Sequence, residues 1–255
     1  MKKLTIGAIS ALCAAVAFGD VVSSDVVGYD QFGLRGNGAA IGAGPSFLPV
    51  DGEDMTLADV SVTGYDANDG YADFEVEAKK LNGAGVGGTS YFWCDFEEEG
   101  ETYKGWFDGD MNDYNSESLT PGEGLWIYSP STNFKLQSSG AVPKSSITVA
   151  LRGNGQAKMV SNPMPTTLTL SQIYVSGYDT EEGYAGFEIE AKKLNGAGVG
   201  GTSYFWCDFE EEGETYYGWY DGDMNEYNDV EVAAGEGLWI YSPSTSFSVV
   251  FPSPL

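Results

Sequence analysis

Histidine is missing from all 255 residues, and with it go the usual base of a serine triad, the commonest metal ligand and the physiological proton shuttle. Cysteine is nearly as scarce, with Cys13, Cys94 and Cys207 leaving too few soft ligands for a zinc site. Positive charge is also short: 12 lysines and arginines stand against 38 acids, for a net charge of −26. Nucleic acid needs a basic footprint and anionic lipid a basic patch, so neither is an expected partner. Beyond the N-terminus no apolar run reaches membrane length, which argues against an integral membrane protein. Cations, neutral glycans and basic proteins remain. High acidity can mark disorder, but 14% aromatic and 42% apolar residues supply ample surface for a core.

The chain begins with Met1, Lys2 and Lys3, continues through the apolar stretch from Leu4 to Ala17 and turns polar at Asp20, the three-part layout of a secretory signal peptide. Residues 1–19 are therefore read as a signal, with small Ala17 and Gly19 preceding the cut. Leu12 stands before Cys13 where a lipoprotein cut needs a small residue, so no lipid anchor is expected. Loss of Lys2 and Lys3 would take the net charge to −28.

Residues Glu77 to Tyr103 recur unchanged as Glu190 to Tyr216, an offset of 113. Leu34-Arg35-Gly36-Asn37-Gly38 matches Leu151-Arg152-Gly153-Asn154-Gly155 at an offset of 117, so the first copy carries four extra residues between these blocks. The organisation expected is a tandem duplication, with copy 1 over 20–138 and copy 2 over 139–255. The small, polar stretch Gln137 to Ser146 reads as the linker between them.

Within each copy the period is two. Phe74, Val76 and Ala78 alternate with Glu75, Glu77 and Lys79, as Phe187, Ile189 and Ala191 do with Glu188, Glu190 and Lys192. Tyr91–Phe96 and Thr102–Phe107 predict a hairpin around a five-residue turn, Glu97 to Glu101. Leu125–Tyr128 and Asn133–Leu136 predict a second hairpin around Ser129 to Thr132, as do Leu238–Tyr241 and Phe247–Phe251 in copy 2. Helix is confined to single turns at Thr56–Asp59 and Leu170–Ile173. The fold class is all-β, two tandem copies of a small β-sandwich or partly open β-barrel domain.

Leu-Arg-Gly-Asn-Gly near the start of each copy, Met159-Val160-Ser161-Asn162-Pro163 after it, and the closing Gly122-Glu123-Gly124-Leu125-Trp126-Ile127-Tyr128 and Gly235-Glu236-Gly237-Leu238-Trp239-Ile240-Tyr241 carry a resemblance. The chain resembles a group of uncharacterised secreted tandem β-repeat proteins of Gram-negative-type bacteria with a closing Gly-x-Gly-x-Trp strand. Copy 1 departs from it by Ala39-Ala40-Ile41-Gly42 where copy 2 has its Met-Val stretch. The resemblance implies an envelope or extracellular β-module and supplies no catalytic residues.

The sharpest chemical feature is an acidic loop in each copy. Asp108, Asp110 and Asn112, and likewise Asp221, Asp223 and Asn225, offer oxygen ligands at alternate positions, the chemistry of a hard cation such as calcium. The match to an EF-hand loop stops there, because its glycine and final glutamate are replaced by Asp113 or Glu226 and by Leu119 or Val232. Asp66, Asn68 and Asp69, with Asp179, Glu181 and Glu182, form a weaker candidate. Trp126 and Trp239 are candidate stacking platforms for a glycan. Against each stands a plainer reading, a solvated turn for the acids and core packing for the tryptophans.

Glu75 and Glu77, like Glu188 and Glu190, could mimic a glycosidase pair, but alternating glutamates on a wet sheet face are ordinary and their expected neighbours are lysines. Gly83 to Gly88 has dinucleotide-fingerprint spacing but leads into a strand, among acids that repel pyrophosphate. Cys94 and Cys207 read as buried thiols, each sharing a strand face with two phenylalanines, and a bridge between them is the alternative.

These features predict a non-enzymatic exported protein, at the cell surface, in the periplasm or outside. It would be a structural or interaction module of the envelope or extracellular layer, with calcium as its one candidate cofactor and envelope components or further copies of itself as partners. The alternative is a secreted carbohydrate-binding or adhesion protein using exposed tryptophan and tyrosine.

Overall fold

Short segments rich in Val, Ile, Tyr, Phe and Trp, broken by glycine, favour extended pairing over helix, and the chain is all-β. A computed structural model describes residues 27–36, 39–49, 54–65, 72–81, 88–178, 185–194 and 201–253. The expected signal segment, the Asp66 and Asp179 acidic candidates, Gly83 to Gly87 of the glycine-rich run and the side chains of Phe74 and Phe187 lie outside the described residues.

Copy 1 contains β1 (Val27–Gly33), β2 (Ala40–Ala43), β3 (Val60–Thr63), β4 (Ala72–Lys79), β5 (Ser90–Glu98), β6 (Glu101–Phe107), β7 (Leu125–Tyr128) and β8 (Lys135–Ala141). A three-stranded sheet, β1-β8-β3, faces a five-stranded one, β2-β7-β4-β5-β6. Copy 2 repeats this with β9 (Ile147–Ala150), β10 (Gln156–Ser161), β11 (Leu168–Thr169), β12 (Tyr174–Ser176), β13 (Ala185–Lys193), β14 (Ser203–Glu211), β15 (Glu214–Tyr220), β16 (Glu231–Val232), β17 (Gly237–Ser242) and β18 (Ser248–Phe251). Its sheets are β12-β18-β9 and β10-β17-β13-β14-β15, with β11 and β16 as a small additional pair. Each copy is thus a sandwich of antiparallel sheets. The single 3₁₀ turns fall at Leu57–Asp59 and Leu170–Gln172, where the sequence places them.

Three connections differ from the expected ones. The β5–β6 turn has two residues, not five, because β5 runs on to Glu98 and β6 starts at Glu101. Glu99 and Gly100 both take positive φ, 52° and 87°, the two-residue hairpin geometry that matches strand twist. Secondly, β7 and β8 are not a hairpin: Ser129 to Thr132 carries the chain from one sheet to the other, and β17 and β18 repeat the crossing. Thirdly, half of the expected linker is strand. Gln137 to Ala141 completes β8, the central strand of its sheet, so the chain reaches β9 through residues 142–146.

The cores lie between the sheets. In copy 1, Leu57, Val60, Val76, Ala78, Trp93, Trp106, Leu125 and Ile127 pack together, and their equivalents do so in copy 2. Trp93 meets Trp106 edge-on at 5.4 Å, as Trp206 meets Trp219 at 5.5 Å. The Trp106 indole N–H donates to the Val60 carbonyl at 2.6 Å and Trp219 donates to Ile173 at 2.7 Å, tying the two sheets together from within.

The copies are joined through β2 and β10, the inner edges of the five-stranded sheets. The join is reciprocal: the Gly44 amide donates to the Gly235 carbonyl, and the Ser161 amide, at the equivalent position, donates to Gly122, each at 2.9 Å. Isolated bridges Ala43↔Glu236 and Glu123↔Val160 repeat the symmetry. Ala40, Leu81, Ala157, Met159 and Leu194 form a shared apolar cluster at the join. Leu48 of copy 1 packs on the core of copy 2. At the crossing, Gly42 and Gly237 lie backbone to backbone, with no room for a side chain on Gly237. Each inner edge, a place where sheets invite uncontrolled pairing, is thereby covered by the other copy.

Candidate functional site

The acidic loops close on themselves. Asp108 Oδ1 accepts from the Asp110 and Asn112 amides, each at 2.9 Å, and Oδ2 accepts from Asn112 Nδ2 at 2.9 Å. Asp221 does the same with Asp223 and Asn225. Hydrogen bonds from the Asn112 side chain and then its backbone hold Asp108 below the usual carboxylate range, as Asn225 holds Asp221. Asn112 and Asn225 turn an amide donor toward the carboxylate, whereas a cation needs the carbonyl oxygen. Asp110 and Asp223 are exposed, and no three carboxylate or thiol residues converge as a metal cluster among the described residues.

The residue between them has the more specific task. Met224, at φ 63°, folds back onto Cys207, Phe209, Tyr216 and Tyr220 on the outer face of the β14–β15 hairpin. Phe96 stacks on Tyr103 in copy 1 as Phe209 does on Tyr216. Cys94 and Cys207 sit on this face as buried thiols, one in each copy and not bridged.

Trp126 and Trp239 are half-buried beside the shared cluster. Lys79 Nζ lies 5.7 Å above the Trp126 ring and Lys192 Nζ 5.5 Å above Trp239. The same lysines pair with Glu77 at 3.0 Å and Glu190 at 2.9 Å, so these glutamates do have lysine neighbours.

The sequence reading missed a constellation at the mouth of each sandwich. In copy 1 the Tyr65 hydroxyl donates to Asp95, and Lys104 Nζ reaches Asp95 Oδ2 at 2.9 Å. Burial, then the bond to Asp95, pushes Tyr65 up to about 12. Burial raises Asp95, but the bonds from Tyr65 and Lys104 and the lysine charge outweigh it and leave the carboxyl low. In copy 2 Tyr178 donates to Asp208 at 2.5 Å, and Tyr217 stands where Lys104 was. Trp93 and Trp206 lie beneath, with indole N–H groups buried and short of a hydrogen bond among the described residues. The signal was present in the sequence: position 104 is where the 27-residue identity ends.

Among the described residues no helix is long and apolar enough to cross a membrane. No family model matches the chain, and neither a curated protein nor a solved structure is significantly similar to it.

Proposed function

We propose that the protein is a non-enzymatic exported interaction module of the cell envelope or extracellular layer, in which duplication doubles a surface. The observation that carries this reading is the reciprocal join. It covers β2 and β10 and leaves β6 and β15 as the outer edges of the five-stranded sheets. Each outer edge lies four strand spacings, roughly 19 Å, from its inner edge. The two hairpins so displayed are the near-identical part of the repeat and end in Glu98, Glu99 and Glu101 or Glu211, Glu212 and Glu214. The acidic loops take the Trp106 and Trp219 backbone groups, so the turn-proximal half of each outer strand is the part left for an edge-pairing partner, and a charge of −26 holds like molecules apart until a cation or a basic surface intervenes.

Size-exclusion chromatography with light scattering on the chain from Asp20, in chelator and then in ~1 mM calcium, tests the layer reading. Growth to large assemblies in calcium is the expected result. A monomer under both conditions would sink it in favour of a secreted glycan-binding protein.

A further inference from the structure

Two substitutions convert one sandwich mouth into a different surface. Ser61 and Lys104 of copy 1 are replaced in copy 2 by Tyr174 and Tyr217, in a background otherwise nearly unchanged. Tyr174 is 37% exposed on β12 and Tyr217 is 53% exposed on the outer edge strand β15. Tyr217 is the cross-strand partner of Asp208 and meets the Trp206 ring edge-on at 5.2 Å. Tyr178 reaches the same carboxylate from the end of β12. Copy 2 thus sets Tyr178 and Tyr217 beside the Asp208 carboxylate and Tyr174 next to Tyr217, with Tyr174 and Tyr217 open to solvent.

Copy 1 shows what this place accepts. There the same carboxylate, with the same tyrosine donating to it, holds a lysine ammonium at 2.9 Å. Among the described residues no lysine or arginine pairs with Asp208. Aromatic faces beside a carboxylate attract ammonium and guanidinium groups through the ring quadrupole as well as through charge. An anionic ligand is disfavoured by the acidity of the whole chain.

We propose that the notch formed by Tyr174, Tyr178, Asp208 and Tyr217 receives a lysine side chain from a basic protein partner, whose ammonium pairs with Asp208 as that of Lys104 pairs with Asp95 in copy 1. This deepens the interaction-module reading and rests on it. The two copies then differ in role: one carboxylate is paired with its own lysine, and the other is open to a partner's.

The test titrates the full chain from Asp20 with Nα-acetyl-lysine methylamide, following its aromatic resonances by NMR, with methyl α-glucoside as the neutral probe. Wild type should show one saturable site, at millimolar concentrations of the lysine probe, centred on Tyr174, Tyr178 and Tyr217. Tyr217→Lys should weaken it at least tenfold, while a charge-matched Thr245→Lys should not. The double variant Ser61→Tyr with Lys104→Tyr should gain a second site at Tyr65 and Asp95. Apart from the Thr245→Lys control, each substitution installs the residue that the other copy already carries at the equivalent position. Lysine binding that ignores Tyr217→Lys, absence of saturable lysine binding, or saturation by the glucoside alone would overturn the proposal. Light scattering on the Tyr217→Lys variant separates the two readings, since assembly in calcium that persists there upholds the layer even where the lysine notch fails.

Discussion

The two copies share 27 consecutive residues without a change, and yet they are finished differently at both ends of the sandwich. At the mouth, copy 1 neutralises Asp95 with Lys104 whereas copy 2 leaves Asp208 among tyrosines. Where the chain leaves β10, copy 2 buries Asn162, whose amide donates to the Thr166, Val232 and Ala233 carbonyls at 2.9 to 3.2 Å while its oxygen takes the Met164 amide. Copy 1 has Pro45 at that position and a groove of about 300 Å³ nearby, lined by Leu48, Met55, Leu119 and Pro121. Identical hairpins therefore do not fix the surroundings. A duplicated fold keeps its framework and lets the sites where one sheet meets the other diverge.

The largest expected effect breaks the comparison at the join. A Cβ on Gly237 would lie 2.5 Å from the Gly42 carbonyl carbon, and backbone cannot yield as a side chain can. Gly237→Ala should cost about 3 kcal/mol in denaturant unfolding, whereas Gly42→Ala, whose first obstacle is the flexible Met159 sulfur, should cost about 1 kcal/mol. Asn162→Ala comes next. It removes the side-chain donor of the Thr166 and Val232 carbonyls and the acceptor of the Met164 amide in a fully buried place, while Ala233 keeps the Glu236 amide, and it should lower stability by about 2 kcal/mol. Pro45→Ala at the matching position, buried but without a side-chain hydrogen bond to lose, should cost no more than about 1 kcal/mol.

A pH comparison sharpens the difference at the mouths. Asp95 is held low, so its contribution is present above the unfolded carboxyl value of 3.8 and is lost as pH falls through its lower folded value. Lys104→Ala should cost no more than about 1 kcal/mol at neutral pH, with the cost vanishing below that window, because the pair is partly exposed. Tyr217→Ala should show no such acid-dependent step, as urea midpoints measured from pH 7 down to pH 2 would reveal. The smallest effect treats the copies alike: Glu99→Asn and Glu212→Asn, at φ 52° and 53°, should each stabilise by a few tenths of a kcal/mol in thermal melts.

Much of the framework was legible in the sequence. The exact repeat, the alternating strands and the two short helical turns follow from local pattern, and Val76 and Ala78 are buried as that alternation requires. Connections were less legible, because alternation tells which face a residue takes and not which sheet its strand joins. Ser129 to Thr132 has turn chemistry whether it reverses a hairpin or crosses a sandwich. Gln137 to Ala141 resembles a linker because segment 46–48 passes over β8, where a Cβ on Gly140 would meet the Leu48 carbonyl at 2.1 Å. Small residues there report crowding, not flexibility. Glu97 and Glu98 resemble turn residues because they occupy the exposed end of a strand.

The acidic loops teach a related lesson about sites. Asp108, Asp110 and Asn112 at alternate positions suit cation binding and self-capping turns equally well, and in the structure Asn112 Nδ2 is turned toward Asp108. The Tyr65 and Tyr178 constellations were invisible because Asp95 and Tyr65 lie 30 residues apart and meet only when the sheets close.

The reciprocal join has a consequence for dilution. Two separate chains paired in this way would obey mass action and part as they thin out. Here residues 142–146 tether one copy to the other, and a short tether sets a local concentration on the order of millimolar. The pair is therefore independent of how much protein is present, and a single isolated molecule still carries both faces.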